Sequence, residues 1–164
     1  MMKTRVQFIH GLEGSPRGNK ARVLAEHFDC VTPAMDTSDF EGCVALQADV
    51  IGSFRPHVLV GSSFGGAVAV EILRRGAWRG RTLLLAQAAF KHGSRAQLPT
   101  QTPVWIVHGT QDTIVDPVDS RRLAQTGSPE LVRLIEVEDD HPLHASVADG
   151  RLVEWVEALA RTAF

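Results

Sequence analysis

The residues with the clearest chemical meaning lie at positions 61–66, which read GSSFGG. They contain a G-x-S-x-G pattern between an apolar run at 58–60 and a helical pattern at 67–73. A serine on such a sharp strand-to-helix turn is exposed for attack on a carbonyl carbon, and small neighbours two positions away leave room for the crowded backbone. Only Ser63 has glycines at both places, Gly61 and Gly65, so it is the candidate nucleophile. A glycine-rich turn that binds phosphate or only packs is the alternative, but the strand and helix on either side favour a nucleophile.

A serine hydroxyl holds its proton at neutral pH, so it needs a base, and the base needs an acidic partner that orients it. Asp112 follows the apolar run at 103–107, and His141 follows the apolar run at 131–137. Each therefore lies just beyond the carboxyl end of a predicted strand, which is the edge where open α/β sheets bind ligands. The order of serine, aspartate and histidine along the chain is the order found in hydrolases with this turn.

Both partners of the serine have competitors nearby. Asp116 is followed by Pro117, which is typical of a residue that caps a helix. Asp139 and Asp140 adjoin the candidate base and lie close enough in sequence to contact it. His144 is a second candidate base, and we favour His141 because it comes first after the strand.

These motifs together resemble the α/β-hydrolase family, most of all its small single-domain bacterial esterases of the YqiA-like group. The resemblance covers nearly the whole chain. His10-Gly11 resembles the family's HG loop, residues 108–115 resemble its acid loop with Asp112 in the acid's place, and residues 140–141 resemble its histidine loop. The resemblance implies the α/β-hydrolase fold: a six-stranded, mainly parallel sheet in the order 2-1-3-4-5-6 with helices on both faces. The chain departs from the many family members that carry a cap domain, because 164 residues leave no room for one.

The resemblance also implies roles for residues around the serine. The backbone N–H groups of Leu12 and Phe64 would form an oxyanion hole. The side chains of His10 and His108 would orient their loops rather than take part in the chemistry. The possible substrate pocket would include His10, Glu13, Phe90, Leu143 and His144, and Phe64 is a further candidate for its wall.

Two basic residues follow the HG loop. Arg17 and Lys20 lie close to the expected oxyanion hole, where they could meet an acidic substrate. A solvated start of the next helix is the alternative for both residues.

The hydrophobic pattern alternates between strands and helices along the chain. We predict strands at 5–10, 30–33, 57–60, 82–86, 104–108 and 131–137, and helices at 20–28, 40–54, 65–74, 117–125 and 152–161. Largely apolar strands that alternate with helices indicate a parallel sheet covered on both faces. The segment 87–101 has no clear period, and we predict a loop beside the site there.

The bulk composition is that of an ordinary soluble globular domain, so we expect one domain over residues 1–164. The hydrophobic fraction is 44%, the charged fraction is 22% and the formal net charge is −2. The mixed charges predict no nucleic-acid partner, and no apolar run reaches the length of a membrane span. Lys3 and Arg5 precede only a short apolar run, so we expect no signal peptide and a cytoplasmic location, with Cys30 and Cys43 as reduced thiols.

The sequence therefore predicts a serine hydrolase that cleaves small carboxylic esters or thioesters through an acyl-enzyme on Ser63. It predicts no cofactor. It predicts no metal either, because the H-x-x-H spacing of His141 and His144 differs from the spacing in zinc proteases. An inactive binding protein on the same fold and a flavodoxin-like nucleotide binder are the alternatives, although no phosphate-binding G-x-x-x-x-G-K-[ST] motif occurs. The oligomeric state stays open.

Overall fold

The strands of the chain form one parallel sheet. A computed structural model describes residues 2–93 and 95–164. Its strands are β1 (Arg5–Ile9), β2 (Asp29–Val31), β3 (Val58–Ser62), β4 (Arg81–Leu85), β5 (Val104–Gly109) and β6 (Val132–Val137). They pair in the order β2-β1-β3-β4-β5-β6, and every pairing is parallel. The predicted sheet and strand order are confirmed.

Helices connect the strands and cover both faces of the sheet. They are α1 (Asn19–His27), α2 (Phe40–Phe54), α3 (Phe64–Arg74), α4 (Ala89–His92), α5 (Pro117–Ala124), α6 (His144–Ala148) and α7 (Arg151–Ala160). Within the described chain, none of the connections between strands holds a separate cap domain.

Strand residues alternate between two apolar clusters, one on each face of the sheet. In β3, Leu59 packs with α2 and α3, whereas Val58 and Val60 pack with α1 and α7. In β4, Leu84 joins the first cluster and Leu83 the second. Burying a leucine or valine side chain stabilises a fold by about 1.5–3 kcal/mol, so this sheet is a firm support for the loops at its carboxyl edge.

The structure differs from the predicted elements in a few places. β3 runs on to Ser62, so the strand reaches the candidate nucleophile. The predicted loop at 87–101 contains α4, a short helix whose first N–H is bound by the side-chain Oε1 of Gln87. Such a tertiary hydrogen bond leaves no periodic signal in the sequence. Ser94, in the same segment, lies outside the described residues.

Over residues 2–93 and 95–164, no helix has the length and apolar character needed to span a membrane. In the same part of the chain, no group of three or more His, Cys, Asp or Glu side chains is arranged to hold a metal ion.

Candidate active site

Ser63 occupies a strained turn between β3 and α3. Its backbone angles are φ 55° and ψ −115°, a region that non-glycine residues rarely adopt. Two backbone hydrogen bonds hold it there: its N–H donates to the Leu85 carbonyl at 2.9 Å, and its own carbonyl accepts from the Ala88 N–H at 3.0 Å. The conformation that the sequence pattern predicts is therefore present and is fixed by β4 and the start of the following loop.

The glycines beside Ser63 are required by close packing. A Cβ atom at Gly61 would lie 2.6 Å from the carbonyl oxygen of Gly65. A Cβ atom at Gly65 would overlap the carbonyl oxygen of Ile9, at the end of β1. A larger residue at Gly61 would push against the start of α3, and one at Gly65 would push the turn away from β1, so the G-x-S-x-G pattern here has a steric cause.

The structure brings Ser63, His141 and Asp112 into one hydrogen-bonded line. The Oγ of Ser63 lies 3.0 Å from Nε2 of His141, and Nδ1 of His141 lies 2.7 Å from Oδ2 of Asp112. A carboxylate oxygen accepts hydrogen bonds, so Nδ1 carries the ring proton and Nε2 has a lone pair for the serine proton. This arrangement can remove a proton from the serine as it attacks a carbonyl carbon.

Asp112 is buried and surrounded by donors. Its Oδ1 accepts hydrogen bonds from the backbone N–H groups of Ile114 and Val115, both at 2.8 Å. Its Oδ2, which faces His141, also lies 3.1 Å from Nε2 of His108. Fixed donors around a buried carboxylate compensate for the loss of water and keep it in one orientation.

His108 links Asp112 to a buried chain of polar side chains. Its Nε2 also lies 2.9 Å from the Val115 carbonyl oxygen, which can only accept, so Nε2 carries the proton. Its Nδ1 therefore accepts from the Ser120 hydroxyl at 2.6 Å, and that hydroxyl accepts from the Gln87 amide at 3.1 Å. The chain of hydrogen bonds is complete from the Gln87 amide to the Val115 carbonyl, and it holds Nε2 of His108 3.1 Å from Oδ2 of Asp112.

Sequence reasoning predicted an orienting role for His108 but missed Gln87 and Ser120, both of which are fully buried. A signal for Ser120 was present, because it lies three residues before Leu123 on the inward face of α5. A serine at such an apolar position needs a hydrogen-bond partner. Gln87 had the weaker signal of following the end of β4.

The competing acidic residues have other partners. Oδ1 of Asp116 caps α5 by accepting from the Val118 N–H at 3.0 Å. Oδ2 of Asp139 accepts from the backbone N–H and the hydroxyl of Ser146, both at 2.8 Å. Burial would raise the pKa of Asp139, but the hydrogen bonds from Ser146 and its neighbours outweigh burial and hold the pKa below its ordinary value. Its role is to fix the start of α6, directly after the histidine loop.

His144 pairs with Asp140 and not with Asp112. Its Nδ1 lies 2.6 Å from Oδ2 of Asp140 on the exposed side of α6. The hydrogen bond from His144 lowers the pKa of Asp140 to about 2.

The HG loop lies directly against the nucleophile. A Cβ atom at Gly11 would be 3.3 Å from Cβ of Ser63. The loop is a turn closed by a hydrogen bond from the Gly14 N–H to the Gly11 carbonyl at 3.1 Å, which leaves the Leu12 N–H outside the turn's own bond. Phe64 is the first residue of α3, so its N–H has no partner within the helix. Both predicted oxyanion donors thus flank Ser63, and their role stays a prediction.

The side chain of His10 supports this loop through the carbonyl group of Gly11. Its Nδ1 lies 2.8 Å from the Gly11 oxygen and must donate to it. Its Nε2 is buried and has no hydrogen-bond partner within the described residues. A donor on a bound molecule would satisfy that nitrogen.

A cavity of about 440 Å³ opens beside Ser63 and His141. Three of the predicted pocket residues line it, namely His10, Glu13 and His144. The lining also includes Leu12, Ile114 and Lys20. Leu12 and Ile114 are exposed apolar side chains at 55% and 59%, so they offer hydrophobic contacts at the rim.

Two predicted pocket residues lie elsewhere. Leu143 is 1% exposed and packs in the apolar cluster on the α1 and α7 face. Phe90 packs against the opposite cluster, and the guanidinium of Arg122 lies 4.2 Å from the centre of its ring. Phe64 also turns its side chain inward and is 1% exposed. Burial in the core stabilises these large apolar groups more than a solvated site would.

Solved structures share this fold. A protein from Xanthomonas campestris pv. campestris assigned to the α/β superfamily of hydrolases is 23% identical, with a TM-score of 0.78 over 95% of this chain and 99% of that chain. Est1E from Butyrivibrio proteoclasticus is 12% identical, with a TM-score of 0.73 over 98% and 90% of the two chains. The monoacylglycerol lipase of Paleococcus ferrophilus is 15% identical, with a TM-score of 0.72 over 96% and 97%.

These likenesses establish the α/β-hydrolase fold. By sequence, no family model and no curated protein matches the chain. The narrower resemblance to the YqiA-like esterases stays a prediction.

Proposed function

We propose that this chain with the α/β-hydrolase fold is a serine hydrolase that cleaves small carboxylic esters or thioesters through an acyl-enzyme on Ser63. The observation that carries the proposal is the line of hydrogen bonds from Ser63 through His141 to Asp112, at 3.0 and 2.7 Å. The structural neighbours include a protein named as a monoacylglycerol lipase, which supports ester chemistry.

The first half of the reaction forms the acyl-enzyme. Oγ of Ser63 attacks the carbonyl carbon, its proton moves to Nε2 of His141, and the carbonyl electron pair moves onto the oxygen. The N–H groups of Leu12 and Phe64 would stabilise that oxyanion. When the tetrahedral intermediate collapses, the bond to the leaving alkoxide or thiolate breaks, and His141 returns the proton to the leaving group.

The second half uses water in place of the leaving group. Water loses a proton to His141 as its oxygen attacks the acyl carbon. Collapse of the second intermediate breaks the bond to Oγ, releases a carboxylic acid and returns a proton to Ser63. Asp112 stays ionised and stabilises the imidazolium that forms in each half.

The strained backbone of Ser63 favours this proposal over the two alternatives. A flavodoxin-like nucleotide binder has no use for a serine at φ 55° that is hydrogen-bonded to a histidine. A binding protein without activity has no need for a buried carboxylate behind that histidine. Backbone strain of this kind lowers the free energy of unfolding by about 1–3 kcal/mol. A working nucleophile gives a reason for a conformation with this cost.

Hydrolysis of small chromogenic esters tests the proposal. We expect the protein to cleave 4-nitrophenyl butyrate and a matched butyryl thioester, and the Ser63→Ala variant to lose both activities while it keeps its melting temperature. If the variant retains the activity of the parent chain, or if neither substrate is cleaved, the proposal is wrong.

A further inference from the structure

Lys20 is a cation inside the candidate active site. It lies in the first turn of α1 and lines the same cavity as Ser63 and His141. Its side chain is half-buried. Within the described residues, it has no ion pair within 4.0 Å and no hydrogen bond. Lysine rarely leaves water without a partner, so its place in this cavity calls for an explanation.

The two carboxylates whose charges act on Lys20 are hydrogen-bonded to other groups and do not pair with it directly. Asp140 is held by His144 at 2.6 Å, and both oxygens of Asp139 accept hydrogen bonds from the start of α6 and its preceding loop. Glu13 lines the cavity as well, but it is exposed and does not pair with Lys20.

The electrostatic consequence is an ammonium group that is poorly compensated. Burial lowers the pKa of Lys20, and the negative charges of Asp140 and Asp139 offset that effect only in part. An anion bound in the cavity would supply the compensation that water supplies to an exposed lysine. The backbone at the start of α1 adds to the same effect, because Gly18 precedes the helix without a side-chain cap.

We propose that Lys20 binds an anionic group of the substrate, so that the preferred ester carries a carboxylate or a phosphate a few bonds from the scissile carbonyl. The proposal rests on the proposed function of the Ser63 site. It makes Lys20 a specificity-determining residue, since it would contact substrate without taking part in the proton transfers. A charge-assisted hydrogen bond of this kind favours the anionic substrate by about 10- to 100-fold in kcat/KM.

Paired esters test the proposal on each side of the scissile bond. On the acyl side, mono-4-nitrophenyl glutarate is compared with 4-nitrophenyl butyrate. On the leaving-group side, 4-acetoxyphenyl phosphate is compared with 4-methylphenyl acetate. The variants are Lys20→Met, which keeps the apolar stem, Lys20→Arg, which keeps the charge, and Arg17→Met. Arg17 is an exposed cation three residues before Lys20 that does not line the cavity, so it is the matched control.

We expect the parent chain to prefer at least one anionic ester. Lys20→Met should reduce kcat/KM for that ester by about 10- to 100-fold, while turnover of its neutral counterpart stays within about twofold. Lys20→Arg and Arg17→Met should retain the preference, and added salt should weaken it. An equal loss for anionic and neutral esters, or the same preference in Lys20→Met as in the parent chain, would overturn the proposal.

A binding measurement separates this proposal from the proposed function. Calorimetric titration of glutarate and of inorganic phosphate into Ser63→Ala needs no turnover. Binding of either anion that disappears in the Ser63→Ala, Lys20→Met double variant supports the anion site even if no ester is cleaved. Cleavage of neutral esters by the parent chain, together with no Lys20-dependent binding of either anion, leaves the hydrolase proposal intact and rejects the anion site.

Discussion

Two histidines three residues apart, His141 and His144, each pair with an aspartate, yet the surroundings of the two pairs differ. His141 lies 2.7 Å from Asp112, and His144 lies 2.6 Å from Asp140. The side chains of the first pair are 17% and 0% exposed, and those of the second pair are 71% and 46% exposed. Distance within the pair does not distinguish them.

What distinguishes the two pairs is the set of groups around each. The free nitrogen of His141 faces Ser63, and the carboxylate of Asp112 is held by two backbone N–H groups, with Nε2 of His108 3.1 Å away. The exposed pair is screened by water, which weakens its interaction. Burial and contacts with other groups therefore distinguish the reactive pair from the exposed pair. The hydrogen bond within the pair does not.

Replacement of the two histidines should give the largest contrast. We expect His141→Ala to reduce kcat toward 4-nitrophenyl butyrate by several orders of magnitude, up to about 10⁶, as loss of a triad histidine does in a serine protease. His144→Ala should change kcat by less than about tenfold, because its partner is exposed and no other group depends on it. Steady-state kinetics on both variants, with melting temperatures as the folding control, measures the contrast. A dead His144→Ala beside an active His141→Ala would show that the two pairs have been assigned in reverse.

Replacement of Asp112 should lower kcat far more than replacement of Asp140, although the contrast should be smaller than that between the two histidines. Asp112→Asn keeps the shape of the side chain but favours the wrong tautomer of His141, and a change of this kind lowers kcat by roughly 10⁴-fold in a serine protease. Asp140→Asn should have only a small effect, because it removes an exposed partner of His144. The measurement is kcat for both variants and for Asp139→Asn. A severe loss in Asp139→Asn with full thermal stability, together with a mild loss in Asp112→Asn, would move the acid to the histidine loop.

Replacement of His108, in the chain of buried polar side chains beside Asp112, should lower kcat less than replacement of Asp112 and more than replacement of Asp140. His108→Leu removes the N–H that donates to the Val115 carbonyl and lies 3.1 Å from the carboxylate. Loss of such a buried donor costs about 1–3 kcal/mol, so kcat should fall by about 5- to 100-fold. His108→Gln has an amide that can donate in place of Nε2 and should recover part of that loss. KM should change little in either variant, since His108 does not line the cavity. Equal losses in the two variants, in proportion to lost thermal stability, would mean that His108 serves the fold alone.

The three hydrogen-bonded residues of the site could be predicted from the sequence because each follows a strand. Ser63, Asp112 and His141 come after β3, β5 and β6, and parallel strands bring their carboxyl ends to one edge of the sheet. The strand order came from the resemblance carried by these motifs, and the periodicity located the elements that connect them.

The walls of the pocket could be predicted only in part: His10, Glu13 and His144 line the cavity, and two other predicted residues do not. Phe90 and Leu143 were expected there because they adjoin site loops, but the direction of a side chain depends on the backbone angle and on the nearest apolar cluster. Leu143 sits at φ 58°, and this backbone geometry accompanies a side chain that packs in the core. Gln87 and Ser120 meet only through tertiary packing, 33 residues apart in the chain. A sequence pattern carries no direct signal for such a contact.

The most direct test of the central claim is covalent labelling by a fluorophosphonate probe, read out as the mass of the intact protein and of its peptides. We expect one adduct per chain, located on Ser63 and absent in Ser63→Ala. Labelling should be far slower in His141→Ala and should proceed at nearly the normal rate in His144→Ala. Ser63 that stays unlabelled at saturating probe, or labelling that proceeds equally fast without His141, would contradict the claim that the buried pair activates this serine.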